Sequence, residues 1–128
     1  MQMSTTNGIC ITVETMYQPQ YSKPLESEYV HAYRIIIENL RDYPVQLLSR
    51  HWHIWDATGI WREVEGEGVV GVQPVIPPDA DYQYVSGCHL RAEFGHMHGS
   101  FEMLCLETDT TFTVEIPYFD LIAPFKYN

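Results

Sequence analysis

Two His-x-His pairs stand out in this chain: His51 with His53, and His96 with His98. On an extended strand, residues i and i+2 point to the same side, so each pair presents two imidazoles to one divalent metal ion. His89 is a fifth candidate ligand. Jelly-roll metal sites built on such a pair add a carboxylate four or five residues on, where this chain has Ala57 and Thr58. The nearest glutamates, Glu63 and Glu65, come after a turn and reach the histidines only if the fold brings them back. The simpler reading makes His51, beside Trp52, a hydrogen-bonded strand residue, and makes residues 96–98 a polar loop between Gly95 and Gly99.

A second candidate is the stretch GEGVVG, Gly66 to Gly71, which matches the glycine fingerprint of dinucleotide-binding proteins. Gly66, Gly68 and Gly71 with Arg50 and Arg62 make a candidate anion site. The fingerprint works only where the glycines open a helix whose N–H groups hold a pyrophosphate. Here Val72-Gln73-Pro74-Val75-Ile76-Pro77-Pro78 follows, and valines and prolines favour extended chain. Glu63, Glu65 and Glu67 surround the loop, and each repels a phosphate about 5–8 Å away by a few tenths to about 1 kcal/mol. We therefore expect these glycines to shape a bulge or tight turn, with residues 69–76 leaving as pleated chain. A nest of loop N–H groups is the remaining way to hold an anion there. No cofactor is implied.

Nucleophilic catalysis has no support. Ser49, Ser86 and Ser100 lie outside any GxSxG elbow, and Cys10, Cys88 and Cys105 lack a recognisable histidine partner. The cysteines are odd in number and form no CxxC pair, so they read as reduced thiols, at least some of them buried.

The elements that must position these residues repeat with period two. Ile9, Ile11 and Val13 alternate with polar or small residues, as do Tyr33, Ile35 and Ile37. Val45–Asp56 is a long apolar and aromatic run closed by Asp56-Ala57-Thr58-Gly59. Tyr82 and Tyr84 follow the proline-rich corner 76–80. Phe101, Met103 and Cys105, then Phe112, Val114 and Ile116, flank a hairpin-like Glu107–Thr110. Short strand-like runs without a helical pattern predict an all-β chain: a fibronectin III or immunoglobulin-like antiparallel β-sandwich. Trp52 suits the aromatic such folds bury, and Tyr82 suits a tyrosine corner. Phe119, Leu121, Ile122 and Phe125 read as residues closing the sandwich. The 128 residues suit a single domain, with residues 1–7 expected as a flexible N-terminus.

Seventeen acidic residues against seven basic ones give a formal net charge of −10, a field that repels nucleic acid and anionic membranes and favours basic partners. No apolar stretch approaches the roughly 20 residues of a membrane span, and MQMSTTNG has no signal-peptide pattern, so the expected location is cytoplasmic.

Several blocks carry a resemblance. VQLLSRHWHIWDATG (45–59), EVEGEGVVGVQPVIPP (63–78) and YQYVSGCHL (82–90) strongly resemble the ApaG family, also called CorD, as do YVHAYRIIIENL (29–40), GHMHGSFEM (95–103) and IPYFDLIAP (116–124). The resemblance runs from about Val13 to the C-terminus. It implies a fibronectin III-like sandwich in a small bacterial protein linked genetically to cobalt and magnesium tolerance. It also implies no firm enzymatic activity, and a role like that of related domains in F-box proteins, which look like interaction modules. Pyrophosphate contact has been suggested for the family's glycine motif, here Gly66, Gly68 and Gly71. The family block matches Arg50-His51-Trp52, whereas His53 and the histidines of 96–98 depart from its pattern. Two expectations follow: a non-catalytic module for an unidentified protein partner, with a homodimer possible, or a protein binding a small anion or divalent cation through the glycine loop and histidines.

Overall fold

The computed structural model describes residues 1–124, and Phe125 lies outside them. Two antiparallel sheets face each other. The first runs β1 (Gln2–Thr6), β2 (Ile9–Tyr17), β3 (Tyr29–Asn39) and β7 (Asp81–Leu90) in the order β1-β2-β3-β7. The second is ordered β5-β4-β8-β9 from β5 (Trp61–Glu67), β4 (Val45–Asp56), β8 (Phe94–Cys105) and β9 (Thr110–Ile122). The two-residue β6 (Val75–Ile76) pairs with Val45–Gln46 at the start of β4. This is the expected fibronectin III-like sandwich. Its only described helices are single 3-10 turns at Pro19–Tyr21 and Pro24–Glu26.

The period-two residues meet in one core. Ile9, Ile11 and Val13 from β2 and Tyr33, Ile35 and Ile37 from β3 pack against Trp52 and Ile54 of β4, Phe101 and Met103 of β8, and Val114 and Ile116 of β9. Trp52 is 2% exposed and stands edge-on to Tyr33 and Phe119. Phe119 and Leu121 close the sandwich as expected, while Ile122 faces solvent. All three cysteines are free and buried. Tyr82, the second residue of β7, packs half-buried against the core.

Residues 1–7 are not a flexible lead. Gln2–Thr6 pair along β2, Ser4 Oγ donates to the Glu115 carbonyl, and Asn7 Nδ2 donates to the Thr113 carbonyl. The strand was missed because it is a polar edge strand: Gln2, Ser4, Thr5 and Thr6 bury little and leave no hydrophobic alternation to read.

Two bulges decide which residues face outward. The β4–β8 register slips between Leu47 and Ser49, so Val45 and Leu47 point inward before the slip, and Trp52, Ile54 and Asp56 after it. One extra residue reverses the phase of a strand. His51, His53 and Trp55 are thereby turned out. A second slip lies opposite Met97 and Gly99, where β9 carries one residue more, and it turns Tyr118 out. At the far end of β4, buried Asp56 accepts the Thr58 and Arg91 amides and ties the β4–β5 turn to the β7–β8 turn. Burial pushes its carboxyl up, but those two amides and the Arg62 guanidinium outweigh this and hold it below its ordinary value.

Candidate functional site

The functional candidates separate into two places. The first is the glycine loop. Gly66 lies inside β5, with the Arg50 guanidinium where a Cβ would stand. Gly68 leaves the strand with φ 64°, and a Cβ there would fall 2.1 Å from the Val72 carbonyl oxygen, so the close approach admits only glycine. The chain then folds back on itself. Val69 N donates to Val72 O at 2.8 Å, and Val72 N returns a bond to Val69 O at 3.1 Å. Val70 and Gly71 both have positive φ, 48° and 80°, the pattern of a type I′ turn. Residues 69–76 are therefore not uniformly pleated. The turn comes first, and extended pairing resumes only at Val75–Ile76.

Three amides of this loop already have partners within the protein. Gly68 N is committed to Leu48 O, and the amides of Val69 and Val72 are committed to each other's carbonyls. Arg50 does come against the loop, but Nη1 donates to the Glu67 and Gly68 carbonyls. Arg62 is turned the other way, donating to the His89 carbonyl at 2.6 Å and so bridging the edge strands β5 and β7. His89 lies on β7, and its carbonyl serves this bridge.

The second place is the outer face of the β5-β4-β8-β9 sheet. Antiparallel pairing sets Glu63 opposite His53 and Glu65 opposite His51, so the β4–β5 hairpin supplies the carboxylates that the chain lacks at positions 57 and 58. His51 Nε2 lies 2.9 Å from Glu63 Oε2 and 3.3 Å from Glu65 Oε1. The hydrogen bond from His51, with the charge of His53, holds the exposed Glu63 carboxyl below its ordinary value. Across the sheet His53 pairs with His98, and their rings stack at 4.9 Å and 16°.

His96 and His98 are thus strand residues rather than members of a loop. Their flanking glycines have a physical reason: β8 runs so close to β4 that a Cβ at Gly95 or Gly99 would meet the Trp55 or His51 carbonyl oxygen at 2.2 or 2.1 Å. His96 lies further along the face, its ring 6.4 Å from that of His98. Its ring stacks on Trp55 at 5.1 Å and lies 4.5 Å from Tyr118. Burial, reinforced by His98 and opposed by Asp120, lowers its pKa. Burial, reinforced by Asp120, raises that of Tyr118.

Around His96 the face becomes aromatic. Trp61 sits 6.2 Å from Trp55, and Phe94 stands edge-on to Trp55 at 5.7 Å. Trp61 is 61% exposed, Tyr118 51%, Ile122 47% and Phe94 45%. The sequence reading missed this patch. The signal available was the spacing His51-x-His53-x-Trp55, which puts the three on one face of a strand without saying which, continued by Trp61 across the hairpin.

Comparison with known proteins assigns the chain. The family model for the ApaG domain matches residues 19–105. The chain belongs to the ApaG family. Protein ApaG of Brucella suis is 47% identical over 124 residues, covering 97% of this chain and 95% of that protein. Protein ApaG of Escherichia coli is 45% identical over 122 residues, covering 95% and 97%. A crystal structure described as the putative ApaA protein of Bordetella pertussis superposes with a TM-score of 0.87 at 38% identity, covering 91% of this chain and 94% of that one. A structural genomics target, SoR45, gives 0.86 at 42% identity, covering 92% and 89%. Both structures share the sandwich over nearly its whole length.

Proposed function

We propose that this ApaG-family chain is a non-catalytic binding module that docks a protein partner on the aromatic end of its outer sheet face. The observation that carries the reading is the exposed cluster of Trp61, Phe94, Tyr118 and Ile122 around Trp55. Large exposed apolar clusters mark interaction sites, and buried aromatic anchors dominate interface energetics. The rings support one another, so little side-chain freedom is lost on docking. A chain of net charge −10 favours a partner that surrounds its apolar anchors with lysine and arginine. The same charge disfavours nucleic acid and anionic membranes, and no described helix is long and apolar enough to cross a membrane. A cytoplasmic setting and a part in cobalt and magnesium tolerance are the process this reading adopts from the family.

The test is quantitative affinity capture with the wild-type chain and with the Trp61→Ala, Tyr118→Ala double variant, checked for folding by circular dichroism. A partner recovered on the wild type and depleted at least about tenfold on the folded variant supports the reading. Equal recovery on both sinks it. Light scattering across a concentration series identifies the case in which a second copy of this chain covers the patch.

A further inference from the structure

We infer that His51, His53 and Glu63, with Glu65 beside them, form a binding site for one divalent transition-metal ion of the zinc or cobalt type. The site lies next to the aromatic docking patch and does not depend on it.

Geometry comes first. One ligand atom from each of His51, His53 and Glu63 lies within 4.8 Å of the other two. A four-coordinate ion with bonds of about 2.0–2.2 Å needs donor atoms roughly 3.4 Å apart. His51 Nε2 and Glu63 Oε2 are at 2.9 Å, and His51 Nε2 and Glu65 Oε1 at 3.3 Å, so these contacts already stand near that spacing. Turning the half-buried His51 and exposed Glu63 side chains is the adjustment that would close the rest. The His51 and His53 ring centroids are 4.5 Å apart, on one face of one strand.

The second argument is charge. Glu63 and Glu65 both approach a single imidazole, and the two arginines nearest in sequence are turned to backbone carbonyls. A divalent cation neutralises both carboxylates, whereas one imidazolium neutralises only half of their charge. Donor type then selects the ion: two imidazole nitrogens with carboxylate oxygen suit zinc, cobalt or nickel, while magnesium prefers an all-oxygen shell.

The third argument is support. The donors stand on paired strands of a packed sandwich, and the parallel ring of His98 backs His53 and fixes its plane. His96, which sequence spacing groups with the others, lies among Trp55, Trp61 and Tyr118 and stays outside the ligand set.

The experiment uses the full, untagged chain stripped with a chelator and titrated in a calorimeter with zinc, cobalt and magnesium. The expected result is one zinc or cobalt ion per chain and no heat with magnesium at the same concentrations. His53→Ala and Glu63→Gln should each weaken binding by more than about tenfold, and His89→Ala should leave it unchanged. Bound cobalt should show the intense visible bands of a low-symmetry nitrogen and oxygen site. Lack of saturable one-to-one binding, or unchanged affinity in either ligand variant, overturns the inference. All variants are surface substitutions whose fold is checked by circular dichroism. The Trp61→Ala, Tyr118→Ala variant should retain full metal affinity, so this inference and the docking reading fail separately.

Discussion

At the scale of single residues, the histidines divide by environment rather than by spacing. His51 and His53 share an exposed face with two carboxylates, whereas His31, on β3, is 1% exposed and its Nε2 has no hydrogen-bond partner. The Tyr17 ring stands edge-on to it at 5.2 Å, and Cys88 lies opposite on β7 with its thiol pushed up by burial. Burial alone lowers the His31 pKa to about 4. Its folded value is thus depressed, so between about pH 6.5 and pH 4 the unfolded chain binds the proton and the folded chain does not. Stability therefore falls as pH drops through that window and levels below it. Linkage over such a window gives a loss of about 2 kcal/mol between pH 7 and pH 5. Urea unfolding at those two pH values measures it. His31→Phe should remove most of the loss while keeping the ring against Tyr17. The alternation of Tyr33, Ile35 and Ile37 puts His31 on the same face of β3, but its orphaned nitrogen is visible only in the structure.

Among the elements, alternation made the strands legible and hid their phase. β2, β3, β4, β7, β8 and β9 each contain an alternating run, because one face of each meets the same core. The bulges in β4 and β9 left no such mark. Their outward positions hold histidine, tryptophan and tyrosine, which occur on either face, so the slips that expose His51, His53 and Tyr118 are visible only in the register. Close strand approach was equally hidden, though it predicts a measurable cost. Gly99→Ala places a methyl on the His51 carbonyl and should destabilise the sandwich by about 1–3 kcal/mol in chemical denaturation. It should also weaken zinc binding by shifting the strand beneath His51. The glycine turn predicts the opposite sign. Val70, 64% exposed, is a β-branched residue with φ 48°, a backbone state that costs an L side chain about 1–2 kcal/mol. Val70→Asn converts Val70-Gly71 into Asn-Gly, the preferred type I′ pair, and should raise stability by about 1 kcal/mol in the same assay.

For the molecule as a whole, the net charge and the sheet face act together. Glu63, Glu65 and Glu67 follow one another on the outward phase of β5, and the chain carries ten more negative than positive charges, so folding concentrates repulsion that the extended chain spreads out. Monovalent salt screens this repulsion generally, and raising sodium chloride from about 0.02 to 0.3 M should lift the melting midpoint by about 1–3 °C. A zinc ion acts differently, because it binds only the folded hairpin that brings the glutamates back to the histidines. At a hundred times its dissociation constant, such a ligand adds about 2.7 kcal/mol, equivalent to roughly 8–14 °C for a domain of this size. The two effects separate by substitution. Glu63→Gln should keep the salt response, since one charge of the surplus is lost, and should abolish most of the zinc response. A variant whose midpoint still climbs with zinc as the wild type does would mean that the ion is held by diffuse charge rather than by His51, His53 and Glu63.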